Sequence, residues 1–155
     1  MYDRILVPHD GSPFAEQVLP YATELARRLN AEVHLFESIP PPSPLVYSAV
    51  EETPAAMVET VEVIEEGQEA LAQQAKTRLS TLAGQLKAQG LNAFYAVAEG
   101  EPAVQIVEYA TAHQIGLIAM ASHGRSGIAR AVLGSVTDAV VRQGHCPVMI
   151  VRVKE

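Results

Sequence analysis

Two short stretches of this chain carry residue types suited to holding a polar, anionic ligand. The first, Pro8-His9-Asp10-Gly11-Ser12, sets a carboxylate and a hydroxyl around a glycine. The second, Ala121-Ser122-His123-Gly124-Arg125-Ser126-Gly127, continues to Gly134-Ser135-Val136-Thr137. Glycine lets a backbone approach a ligand closely and adopt positive φ, while free N–H groups at a helix start point towards an anion. Phosphate is the ligand this pattern suits, with Ser135 and Thr137 as hydroxyl donors and Arg125 and Arg130 as sources of charge. The same residues also fit plainer roles. Ser135 with Asp138 is a helix-capping pattern, Gly124 and Gly127 suit ordinary turns, and either arginine can face solvent. His123 lies inside the second stretch, where the sequence identifies no partner to orient it as a general acid; loop hydrogen bonding is its expected role.

These stretches need elements to hold them, and the apolar pattern supplies alternating strands and helices. Arg4 to Pro8 reads as a strand buried on both faces and ending at the first stretch. Phe14 to Leu29 reads as one helix, with Ser12 as N-cap and Pro13 at its first position. Ala31 to Phe36 reads as a second strand. Pro40, Pro41, Pro42, Pro44 and Pro54 then mark residues 39–57 as a proline-rich loop within a single domain spanning 1–155, a candidate lid or partner surface, or equally a loosely ordered insertion. A helix is expected over Val58 to Ala88, closing at Gly90, and its acidic start, Glu59 to Glu69, reads as a solvated face. Leu91 to Ala98, Ile115 to Met120 and Cys146 to Arg152 read as further strands, separated by helices over Ala103 to His113 and Val136 to Arg142. Strand–helix alternation predicts right-handed crossovers and a three-layer, doubly wound parallel sheet. Ligands of such sheets sit beyond the carboxyl ends of the strands, where the winding reverses.

Composition removes several classes of function. The chain has 155 residues, 48% of them hydrophobic, enough for one core. It shows no apolar run of about 20 residues and no leader pattern, which predicts a cytoplasmic protein not inserted in a membrane. Eleven basic against 18 acidic residues give a net charge of -7, which opposes nucleic-acid binding but not capture of one nucleotide by a local cradle. Cys146 is alone, and His9, His34, His113, His123 and His145 lack metal-ligand spacing, so no metal site is expected. No Gly-Lys pair marks a P-loop, and no G-x-G-x-x-G marks a dinucleotide fold. A phospho-receiver domain would need an acidic neighbour of Asp10 and an aspartate closing the third strand, where this chain has Pro8-His9 and Ala98-Glu99.

Four segments together resemble the universal stress protein family: Arg4 to Ser12, Met120 to Gly127, Leu133 to Thr137 and Cys146 to Val151. The resemblance implies a Rossmann-like, adenine nucleotide alpha hydrolase-like fold with strand order 3-2-1-4-5. It also implies ATP or AMP as ligand, with magnesium a permitted companion, and a homodimer paired through the fifth strand, Val148 to Val153. Nucleotide-binding members carry a glycine, two residues, a glycine, nine residues, then glycine with serine or threonine; Ala121, Gly124, Gly134 and Ser135 match those positions. Alanine thus replaces the first glycine, a change that would weigh against binding if positive φ or close ribose contact were needed there. The expectation is that Ala121 is tolerated. Carried over residue by residue, Asp10 would contact ribose or adenine, and Pro8, His9 and Ser38 would border the base. Met120 and Ala121 would flank the nucleoside, and Gly124, Arg125, Gly134, Ser135, Val136 and Thr137 would hold phosphates. Ser38 departs from the aliphatic residue usual there.

The favoured function is therefore a regulatory dimer in a stress response, with slow ATP hydrolysis at most and no dedicated catalytic residues. An ATPase lacks an evident carboxylate pair or nucleophile–base set. The alternative is a member that binds no nucleotide and acts through protein–protein contact, which Ala121 and Ser38 support.

Overall fold

The computed structural model of the chain describes residues 1–43, 54–122 and 133–153. Five strands, β1 (Arg4–Pro8), β2 (Glu32–Ile39), β3 (Ala93–Glu99), β4 (Leu117–Ser122) and β5 (Val148–Arg152), form one sheet in the order β3-β2-β1-β4-β5. All four pairings are parallel, as strand–helix alternation demands. The helices are α1 (Pro13–Glu16), α2 (Leu19–Leu29), α3 (Pro54–Ala88), α4 (Pro102–Ala112) and α5 (Ser135–Gln143).

The order of strands explains the two layers of helix. β1 leads outward through α1 and α2 to β2 and through α3 to β3, and the chain then returns across β1 to β4. Ile5, Val7, Val33 and Leu35 pack on one face with Ala22 and Ala26 of α2 and with Leu79, Ala83 and Leu86 of α3. Leu6, Phe36, Ile118 and Met120 pack on the other with Ala103, Ile106 and Ala110 of α4 and with Val140 of α5. Ile5, Leu6 and Val7 have no exposed surface, which is why β1 is a continuous apolar run rather than an alternating one.

Several boundaries differ from those expected. The helix expected over Phe14 to Leu29 is two helices, α1 and α2, parted at Gln17 and Val18. Pro20 is the cause: it has no N–H to give Glu16 and its ring would crowd that carbonyl, so it sits instead in the first turn of a new helix. β2 runs on to Ile39, and α3 begins at Pro54, a residue whose missing N–H costs nothing at a helix start. The expected loop over 39–57 is thus shortened at both ends; residues 40–43 have no regular structure, and 44–53 lie outside the described residues. α3 is 35 residues long, about 52 Å at 1.5 Å per residue. Its acidic residues Glu59, Glu62, Glu65, Glu66 and Glu69 are exposed, as expected. It closes at Gly90, whose φ of +83 lets Leu91 N–H reach back to Leu86 O at 3.1 Å. Among the described residues no helix is long and apolar enough to cross a membrane.

Candidate functional site

The winding reverses between β1 and β4, and these two strands part early. Their ladder holds Ile5 opposite Leu117 and Leu6 opposite Ile118. β1 pairs with β2 through five residues, and β4 with β5 through five. Beyond Leu6 and Ile118 the two central strands run to their carboxyl ends without pairing, the place where a doubly wound sheet accepts a ligand.

From β1, Pro8 enters the loop and His9 N–H donates to Phe36 O at 2.7 Å, tying the loop to β2. His9 is 3% exposed. Gly11 N–H donates to its Nδ1 at 3.0 Å, so the imidazole proton resides on Nε2, which has no partner among the described residues. Burial lowers the His9 pKa and outweighs the opposing charges of Glu37, Asp10 and Glu16, with Arg78 acting in the same sense as burial. Asp10 is exposed, and its Oδ1 accepts from Ser12 N–H at 3.0 Å. Partial burial raises the Asp10 pKa, but the Ser12 hydrogen bonds lead a set of effects that together bring it below the ordinary value and keep the group a carboxylate. Ser12 Oγ in turn accepts from Ala15 N–H at 3.2 Å and caps α1.

From the other side of the reversal, Met120 is buried against α4 and α5. Ala121 lies within β4 opposite Val151, and its methyl packs against the core of the α2 and α3 face. Among the described residues the non-glycine positions with positive φ are Asn30 and Gln114; Ala121 is in extended backbone, so alanine costs no strain there. Thr137 is buried, and its hydroxyl donates to Ala121 O at 3.3 Å, fastening the first turn of α5 to the end of β4. Gly134 is the N-cap of α5, with φ -60 and ψ 154, and no side chain caps this helix. The first intrahelical bond is Asp138 N–H to Gly134 O at 2.9 Å, so the amides of Ser135, Val136 and Thr137 precede the helical ladder. The capping pattern of Ser135 with Asp138 is not used: Ser135 is the first helical residue, and Asp138 pairs with Arg142 at 2.9 Å.

Ser38, near the end of β2, turns its hydroxyl to Gly100 O at 2.9 Å. It lies one strand away from the reversal, on the side of the Pro8–Asp10 loop. His123, Gly124 and Arg125, with Arg130, lie outside the described residues.

Two charged residues beside this loop escaped the sequence. Glu37 is buried in β2 and takes hydrogen bonds on both carboxylate oxygens from Nη2 of Arg78 in α3, at 2.6 and 2.8 Å. The strand expected over Ala31 to Phe36 stops short of Glu37, and the sequence assigns Arg78 no role. The usable signal was a glutamate followed by Ser38 and Ile39 in a strand-like run, since a buried carboxylate must find a cation. An open groove of about 710 Å³ flanks the pair on its outer side, lined by Glu16, Gln73, Gln74, Thr77 and Arg78 among others.

A second polar cluster lies nearer the amino end of the sheet. Tyr109 O–H faces His34 Nδ1 at 3.0 Å, and His34 Nε2 faces Glu32 at 3.3 Å. Arg4 Nε donates to the same carboxylate at 2.9 Å, and its Nη1 to His113 O at 2.9 Å. Among the described residues no group of three or more His, Cys, Asp or Glu is placed to hold a metal ion.

An open parallel sheet with a polar loop and an uncapped helix start at its reversal point defines a Rossmann-like α/β protein. The chain belongs to the universal stress protein family, whose model matches residues 1–152. It is 32% identical to the universal stress protein MJ0531 of Methanocaldococcus jannaschii, over 98% of this chain and 83% of that one. Among solved structures it is similar to protein MJ0577 of the same organism, with a TM-score of 0.78, 26% identity and coverage of 100% and 99%. The fold is shared with a universal stress protein in complex with cAMP, with a TM-score of 0.59, 23% identity and coverage of 97% and 96%. It is shared too with one from Archaeoglobus fulgidus in complex with dAMP, with a TM-score of 0.60, 21% identity and coverage of 96% and 97%.

Proposed function

We propose that this chain is a single-domain, cytoplasmic regulator of a stress response that binds ATP or AMP at the reversal point and works as a homodimer. The observation that carries the reading is the convergence of the Pro8–Asp10 loop, the end of β4 and the uncapped start of α5 at one end of the sheet. Support comes also from relatives of the same fold held with cAMP and dAMP.

In this reading the first-turn amides of α5, with Gly134 and Ser135, receive the phosphates, because donors at a helix start match an anion without requiring a positive side chain. Gly124 and Arg125 complete the phosphate loop. Asp10, held ionised, accepts from ribose hydroxyls, and Pro8, His9 and Ser38 border the base. Met120 and Ala121 flank the nucleoside. Ala121 fits this role because its backbone is extended and its methyl already belongs to the core. Any magnesium would ride on the phosphates. Hydrolysis, where it occurs, is a slow side reaction, since binding and orientation are what these residues supply. β5 is an edge of the sheet, with Val148, Met149 and Ile150 partly exposed. Pairing it with its symmetry mate covers that edge.

Melting the protein with ATP, with AMP and without ligand tests the reading. A ligand at 100 times its Kd stabilises by about 2.7 kcal/mol, and mass spectrometry of the purified protein should find an adenine nucleotide. A flat response to every adenine nucleotide would overturn it in favour of action through protein contacts alone, and turnover of about 1 per second or faster would make the protein an enzyme.

A further inference from the structure

Glu37 is the one buried carboxylate among the described residues, and the guanidinium that answers it does a second thing. Arg78 lies in the space that a side chain on Gly11 would occupy: a β-carbon there would sit 2.9 Å from Arg78 Cζ and 3.2 Å from its Nε. Gly11 has a φ of +78, a conformation that favours glycine, and any β-carbon there would also have to displace the guanidinium. The turn is held from its other sides by the His9 N–H bond to Phe36 O, the Gly11 N–H bond to His9 Nδ1 and the Asp10 bond to Ser12 N–H. Asp10 therefore stands between two pinned residues, and the flat guanidinium closes the remaining side.

Stability is not the main thing this corner of the fold supplies. Arg78 Nε and His9 Nε2 are both buried donors without a partner among the described residues, and such donors cost free energy. An ion pair that leaves its arginine a third exposed is weak support for stability, and the best-attested use of a pair with a buried member is to fix one arrangement among several.

We infer that Arg78, oriented by Glu37, is a positioning residue for the nucleotide site: its guanidinium is the wall that fixes the His9–Gly11 turn and so aims Asp10. The inference rests on the proposed nucleotide reading and extends it to a helix that contributes no ligand contact.

Two variants separate positioning from charge pairing. Arg78→Lys keeps a cation for Glu37 but loses the planar plate against Gly11. The double variant Glu37→Leu with Arg78→Met removes both charges at similar volume, so it guards against loss of fold in the single variant. For each, the melting temperature, AMP affinity by titration calorimetry and hydrogen exchange of the Gly11 amide by NMR are compared with wild type. The expected result is a fold retained in at least one variant, with Gly11 exchanging at least ~10-fold faster and AMP bound at least ~10-fold more weakly, about 1.4 kcal/mol. Gly11 exchange unchanged in a folded variant would overturn the inference, as would faster exchange with AMP affinity intact. Wild-type protein that binds neither AMP nor ATP would instead sink the nucleotide reading, and the exchange rates would still show whether Arg78 holds the turn.

Discussion

At the scale of single residues, the buried histidines couple stability to pH. Burial depresses both His9 and His34 below their ordinary 6.5 and is the largest influence on each. For His34, Glu32 opposes that effect, while His113, the C-cap of α4, and Arg4 of β1 add to it; Tyr109 of α4 and Phe94 of β3 also face the ring. Because the folded pKa lies below the unfolded one, the unfolded chain takes up protons first as pH falls. Stability should be full above about pH 7.5 and decline from 6.5 towards each depressed value; the 6.5 is the ordinary histidine pKa. Urea unfolding from pH 8 to pH 5 measures this, and His34→Gln should flatten the slope; an equal slope in that variant would remove His34 from the account. Gly11→Ala places a methyl against Arg78 at positive φ and should cost at least about 1–2 kcal/mol in the same measurement. A stability equal to wild type would show that the turn relaxes freely.

At the scale of elements, α5 is built to leave its start open. Its N-cap is Gly134, whose φ of -60 and ψ of 154 suit any L-residue, yet no side chain caps the helix. Gly134→Asp supplies the missing cap and favours the dipole, which should leave the unliganded protein as stable as before or a few tenths of a kcal/mol better. The same carboxylate would occupy the place proposed for phosphate and repel it. Thermal melts should therefore show an unchanged or higher midpoint without ligand and no added stabilisation by AMP; an undiminished AMP shift would take the start of α5 out of the site. Local rules located most of these elements. Pro13, Pro54 and Pro102 each open a helix and Gly90 closes one. They failed where one residue has two meanings: Pro54 counts as a loop residue by composition and as a helix start by position, and Pro20 divides what periodicity alone joins.

At the scale of the whole molecule, the open edge of β5 sets the prediction. Ile150→Lys puts a charge on the partly exposed edge strand, and sedimentation should shift from a species of twice 16.6 kDa to one of 16.6 kDa; a dimer that survives would place the interface elsewhere. Sequence by itself determined the alternation of strands and helices, because apolar period and turn chemistry are local properties of the chain, and with it the parallel sheet; the strand order that sets the reversal point came from the family resemblance. The sequence also singled out Asp10, Gly134 and Thr137 as candidate ligand contacts, although the Thr137 hydroxyl is buried and given to Ala121 O. Only the tertiary structure decided that Ala121 is in extended backbone, that Ser38 spends its hydroxyl on Gly100, and that Glu37 and Arg78, 41 residues apart, meet against Gly11. Those are contacts between distant segments, and which charges meet is set by how helices pack across the sheet, which neither period nor motif encodes.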